Sequence, residues 1–227
     1  MSITDKINRK GINEVLHFTL DNNLIGIIAN GCLLSRSELD KKELEYQSLE
    51  FVNDIIWTDR NRDAEWTDHI NLSIESVNQF LLDRARANNS NHNWFILSFD
   101  PEILTHNEVH FTTTNNAYIP YVKRNKGCEG FELPFIENYK DRLGNMHSRK
   151  RTLGVNFPTS QQAEALYPKK LTLDKMSKIY VENEVGFRHA TNALSSSSFL
   201  PECPPLNNVI VEINPLKFKS NINQEVY

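Results

Sequence analysis

The chain has 227 residues, 39% of them hydrophobic and 24% charged, with a formal net charge of −4. That length and apolar content predict one domain over 1–227 with a core of its own, and the acidic balance excludes a protein whose whole surface is a polycation. Cys32, Cys128 and Cys203 are far apart and never form a C-x-x-C pair, so neither a disulfide framework nor a structural zinc site is signalled; MSITDKINRKG lacks a signal-peptide core and LIGIIA is too short to span a bilayer, which points to a soluble cytoplasmic protein.

The first periodic segment is VLHFTL, where Val15, His17 and Thr19 share one face of a strand and Leu16, Phe18 and Leu20 the other. The second face is core; the first carries two polar side chains and is a candidate pocket wall. Asp21 or Asn22 is placed to cap a short helix with Leu24, Ile27 and Ile28 on one side, and Asn30-Gly31 to stop it. SRSELDKKELEYQSLEFVNDIIW reads as one or two surface helices ending near Trp57. HINLSIESVNQFLLDRARA predicts a strand leading into an amphipathic helix, closed by the polar tip NNSNHN.

WFILSFD and VHFTTT follow as neighbouring strands. From Tyr121 to Arg151 periodicity fades into a long basic loop region with room for a short helix. The spacing then predicts a short helix over SQQAEALY, capped by Thr159 or Ser160 and stopped by Pro168, followed by the strand KIYVENE, the helix FRHATNALS and the strand NNVIVEINP. Strands and helices mix without steady alternation or repeat, so the fold class is α+β.

Several chemistries can be weighed from the residues alone. HNEVH places His106 and His110 at a zinc-helix spacing, but Asn107 stands where the zinc-protease Glu belongs and the context favours a strand, so no metal site is expected. No His or basic cluster adjoins a cysteine, and no glycine-rich phosphate loop is present. In TSQQAEALYP, Glu164 is explained as a first-turn carboxylate favoured by a helix dipole, or else as a functional group.

LHFTLDNNLIGIIANGCLLSR, DHINLSI, WFILSFDPEIL, VHFTTTNNA and QQAEALYPKKLTLDKMSKIYV, in this order and spacing, resemble the DarT family of nucleic-acid ADP-ribosyltransferase toxins. The resemblance implies an ADP-ribosyltransferase-type fold with a central split β-sheet flanked by helices, and NAD as ADP-ribose donor without a metal. It implies that His17 bonds a ribose hydroxyl, that Thr19, Asn22 and Leu24 line the same pocket, and that Arg60 or Arg62 meets the diphosphate or the developing charge. Glu164 matches the catalytic glutamate. Two segments depart from the family pattern: Gln162-Ala163-Glu164 replaces the commoner Met-Ala-Glu and is similar to the Gln-x-Glu of other ADP-ribosyltransferases, and FTTTNNA, with Asn115 and Asn116, replaces an Asp-Gly version.

Between Ile119 and Arg151 there are eight Lys plus Arg and four Asp plus Glu, whereas the remainder carries 17 basic and 25 acidic residues. Lys123, Arg124, Arg149, Lys150 and Arg151 are therefore candidates for phosphate contacts, with Gln162, Asn115 and Asn116 nearer the base, and the interleaved aromatics suit a single strand with splayed bases. A stacked duplex hides the ring atoms to be modified. The leading expectation is transfer of ADP-ribose to a base of single-stranded DNA by the toxin of a toxin–antitoxin or phage-defence system, with a cognate antitoxin protein as partner. The same chemistry on RNA, a catalytically silent nucleic-acid-binding module and a metal-dependent nuclease are the alternatives.

Overall fold

The computed structural model describes residues 1–45, 65–197 and 203–219. A helix that the periodicity did not single out, α1 (Ile3–Lys10), opens the chain. Its Ser2 hydroxyl accepts from the Asp5 N–H while the Asp5 carboxylate accepts from the Ser2 N–H, a reciprocal cap, and Gly11 ends it at φ 65°. Then come β1 (Val15–Leu20), α2 (Asp21–Ala29), β2 (Cys32–Leu34), α3 (Arg36–Glu45), β3 (His69–Ile74), α4 (Gln79–Asn88) and β4 (Trp94–Phe99). The second half holds β5 (His110–Thr112), β6 (Arg124–Lys126), α5 (Gly127–Gly130), β7 (Asn138–Lys140), β8 (Met146–Ser148), β9 (Ala165–Pro168), β10 (Lys170–Thr172), β11 (Met176–Val181), α6 (Glu184–Ser197) and β12 (Ile210–Ile213).

Eight strands form one sheet in the order β12-β11-β4-β1-β3-β9-β5-β6, antiparallel throughout except for the parallel β11–β12 pair. Alternation along each strand supplies two cores. On one face Val15, Leu97, Phe99 and Ile179 pack with Leu24 and Ile28 of α2 and Ala190 of α6; on the other, Leu16, Leu20, Ile96 and Tyr180 pack with Leu82 and Ala85 of α4 and with Phe218. Truncating one such leucine to alanine costs about 2–5 kcal/mol. The α+β class with helices on a large central sheet is as expected. Among the described residues no helix is long and apolar enough to cross a membrane.

Four local expectations are corrected. The WFILSFD and VHFTTT strands, β4 and β5, are not neighbours, because β1, β3 and β9 lie between them in the sheet. The helix α2 starts directly after Leu20 with no side-chain cap; Asp21 instead accepts from His92 Nδ1 at 2.7 Å and from the Asn93 N–H at 3.2 Å, tying the helix start to the entry of β4. Residues 121–151 are not one loop. Asp141 accepts the N–H groups of Leu143 and Asn145, the Asn145 side-chain amide and His147 Nε2, all within 2.8–3.0 Å, and closes the β7–β8 hairpin. SQQAEALY is not a helix either: residues 160–164 turn, and Ala165–Pro168 enter the sheet between β3 and β5. Pairing on both edges outweighs the helical propensity of Gln, Ala and Glu.

Candidate active site

The site grows from an interruption in the sheet. β1 pairs with β4 at all six of its residues but with β3 only at Val15↔Ile74 and Leu16↔Ser73. Beyond Leu16 the two strands part, and the His17 ring takes the place of the ladder: its Nδ1 lies 3.2 Å from the Asn71 main-chain oxygen. A carbonyl only accepts, so Nδ1 carries the proton, and the neutral ring keeps Nε2 as an acceptor. Loss of solvation pushes the His17 pKa below its ordinary value, which keeps that neutral form.

Glu164 stands one residue before β9 and is 3% exposed. Thr112 of β5 holds its main chain, the Glu164 N–H donating to Thr112 Oγ1 at 2.8 Å and the Thr112 N–H to the Glu164 carbonyl at 2.9 Å. The carboxylate is held as well: the Asn116 N–H donates to Oε2 at 2.7 Å and the Asn71 side-chain amide to Oε1 at 3.3 Å. Both donors hold the carboxylate in one orientation. Asn71 thus touches His17 with its carbonyl and Glu164 with its amide, and two residues 147 positions apart in the chain meet on it.

The turn after β5 carries the other contacts. Asn115 Oδ1 accepts from the Ala117 N–H at 2.9 Å, an Asx turn that presents Asn116 to Glu164. Arg124 donates to both Asn116 Oδ1 and the Asn116 carbonyl. The Tyr118 hydroxyl donates to Gln162 Oε1 at 2.6 Å, and Thr114 Oγ1 lies 3.1 Å from Ser160 Oγ, so the 160–164 turn is stitched to the 112–118 segment. Gln162, two residues before Glu164, is half-buried.

Other expected positions fall elsewhere. Thr19 is 4% exposed opposite Phe95, and Leu24 is 1% exposed in the main core. Asn22 is exposed on α2. The Arg149 fork donates inside its own loop, to the carbonyls of Phe157 and Gly154 and to Thr159 Oγ1. Lys123 and Arg151 are exposed and Lys150 half-buried. Arg60 and Arg62 lie outside the described residues.

His106 faces the Tyr167 hydroxyl at 2.7 Å, whereas His110 packs on Trp66, so the HNEVH histidines diverge, and among the described residues no group of three metal-binding side chains converges. Asn71, Thr112 and Tyr118 were missed. Asn71 had the signal that exposed His17, a polar residue alternating with buried Ile70 and Leu72.

A family description, ssDNA thymidine ADP-ribosyltransferase, DarT, matches residues 16–206. The chain belongs to the DarT family. No curated protein sequence matches it. Its fold is similar to that of Thermus sp. 2.9 DarT in complex with carba-NAD+, at 12% identity and a TM-score of 0.57, covering 91% of this chain and 98% of that one. It is similar to Thermus sp. 2.9 DarT in complex with ADP-ribosylated ssDNA, at 12% identity and TM-score 0.56, covering 92% and 97%. Thermosipho africanus DarTG in complex with ADP-ribose matches at 17% identity and TM-score 0.54; 91% of this chain is covered, and this DarT-family chain spans about half, 51%, of that one.

Proposed function

We propose that this DarT-family protein transfers ADP-ribose from NAD to thymidine in single-stranded DNA. The observation that carries the reading is the convergence of His17 and Glu164 on Asn71 at the point where the sheet splits. One group there can accept a ribose hydroxyl, and the other is an anion held in place. The edge of β1 beyond Leu16, which β3 leaves unpaired, offers main-chain groups to the nicotinamide carboxamide.

Cleavage of the bond between ribose C1 and nicotinamide builds positive charge on the sugar, and the fixed Glu164 carboxylate stabilises that charge more than the ground state. Nicotinamide leaves neutral because its ring nitrogen is already cationic in NAD, so the step calls for no Lewis acid. Thymine has one ring nitrogen not bound to its own sugar, N3. Its lone pair forms the new bond to C1 as its proton passes to Glu164.

Arg60 or Arg62 would meet the diphosphate, and Lys123, Lys150 and Arg151 the DNA phosphates. The family description and the similarity to a DarTG chain support a toxin against which a cognate antitoxin is kept.

The test is incubation of the protein with NAD and matched single-stranded oligonucleotides: DNA with one thymidine, DNA with none, and the RNA counterpart. A mass gain of one ADP-ribose on the thymidine DNA alone is expected. Labelling of the RNA alone would move the acceptor, and strand cleavage abolished by a chelator would replace the reading with a nuclease.

A further inference from the structure

We infer that Arg124 is a positioning residue for the catalytic carboxylate, acting through Asn116, and does not serve as a DNA contact. The inference rests on the transferase reading of the site. Arg124 lies on β6 directly opposite Thr112, the residue that holds both main-chain groups of Glu164. Its guanidinium donates from Nε to Asn116 Oδ1 and from a terminal nitrogen to the Asn116 carbonyl. One rigid planar group therefore spans the side chain and the main chain of a single residue, which fixes the orientation of its backbone.

That orientation matters because the N–H of the same Asn116 is the 2.7 Å donor to Glu164 Oε2. The lever is stiff at each joint. Asn116 is 1% exposed, and the preceding Asn115 closes the turn on Ala117. The guanidinium lies over Trp66 with its carbon 5.5 Å from the ring centroid, and Trp66 packs in turn on His69 and His110 at 4.7 and 5.1 Å. Lys123, its neighbour in sequence, has the opposite character: it is exposed, and its main chain is held by Thr113. An electrostatic strand contact suits Lys123, whereas Arg124 is built into the support of the carboxylate. A lysine at 124 supplies the charge but no fork, so it would not hold both oxygens in one plane.

The experiment uses the full chain with saturating NAD and a thymidine-containing oligonucleotide. Arg124→Gln and Arg124→Lys are each expected to lower kcat about 10–100-fold, the usual effect of removing a group that orients a reactive one. KM for the oligonucleotide and the salt dependence of its binding should stay at wild-type values. Lys123→Ala is the contrasting arm: a raised KM and a salt slope reduced by about 0.7 for one single-strand phosphate. Asn116→Ala combined with Arg124→Gln should cost little more than either alone, since both break one lever.

Arg124→Lys keeps the charge and the stem over Trp66, and serves as the folded variant, checked by its melting curve. Wild-type kcat in that variant, or a raised oligonucleotide KM and reduced salt slope at unchanged kcat, would overturn the inference. Should the wild type label no DNA, the acceptor reading falls by itself. The variants are then scored by nicotinamide release from NAD, where the same loss of kcat supports the positioning role and unchanged release refutes it.

Discussion

His17 and Glu164 bind opposite ends of one residue, the imidazole at the main-chain oxygen of Asn71 and the carboxylate at its side-chain amide, 3.2 and 3.3 Å away. The arrangement depends on the sheet coming apart. Had β1 and β3 stayed paired past Leu16, the Asn71 carbonyl would face a main-chain donor and no imidazole would lie between the strands. The sheet's discontinuity and the site are one feature, and most of the residues tested below act through it.

Glu164→Gln keeps an oxygen for the Asn116 N–H but removes the charge. ADP-ribose transfer should fall about a hundredfold to ten-thousandfold, in the range seen for loss of an acid–base group or a charge-stabilising donor, with the protein still folded. Mass spectrometry of the oligonucleotide and a melting curve measure the two parts. Transfer within threefold of wild type would remove Glu164 from the chemistry.

Asn71 separates support of Glu164 from support of His17. Asn71→Ala deletes the amide that donates to Glu164 while leaving the carbonyl that His17 uses, so kcat should drop about 10–100-fold with little change in KM for NAD. Asn71→Asp sets a second carboxylate against the first and should be worse, because like charges disfavour the ionised form of both. Steady-state kinetics decide this, and an active Asn71→Asp variant would contradict the geometry.

His17 gives the reaction a pH signature. Its folded-state pKa is lowered from 6.5, first by desolvation and with partial offset from the Asn71 carbonyl, so the ring stays neutral as pH falls to 6.5 and charges only below it. KM for NAD should therefore be flat from pH 8 to about 6.5 and rise on further acidification. Stability follows the same sign. The unfolded chain takes up the proton first, so this histidine subtracts stability as pH drops through 6.5 toward its folded value. His17→Gln should flatten the KM profile, which a pH series on both proteins would show.

Lys123 and Arg151 are exposed on the segment that concentrates the positive charge. Replacing both by alanine should weaken binding of a single-stranded oligonucleotide and reduce the slope of log affinity against log salt by about 1.4, roughly 0.7 per phosphate. Arg149→Ala should act differently. Its guanidinium holds the carbonyls of Gly154 and Phe157, so its loss should loosen the 149–159 loop, seen as faster amide exchange there, with the salt slope unchanged. A titration at four salt concentrations separates these outcomes.

The alternation in VLHFTL was enough to mark His17 as an anomaly on a core strand, and the same alternation in HINLSI marks Asn71. Where local rules and the sheet agreed, as in WFILSF, each strand was legible from its residues alone. They disagreed at SQQAEALY. Gln161, Gln162, Ala163 and Glu164 have helical propensity, but Ala165–Pro168 lie between β3 and β5, and hydrogen bonding along both edges of a buried strand outweighs a preference worth tenths of a kcal/mol per residue. The basic segment hid its hairpin for a related reason: four donors converging on Asp141 order residues that have no hydrophobic period.

The sequence by itself determined the elements whose side chains alternate or cap locally, the odd polar positions on them, and the segments that mark the DarT family. It also determined where positive charge gathers. Tertiary structure alone decided which polar residues meet. Convergence of His17, Asn71 and Glu164 requires the strand order β1-β3-β9 and a pairing that stops after two residues, and strand order is set by packing across the whole sheet, to which no local window of sequence has access. The same reason moved Thr19 and Leu24 into the core, committed Arg149 to its own loop and turned Arg124 toward Asn116.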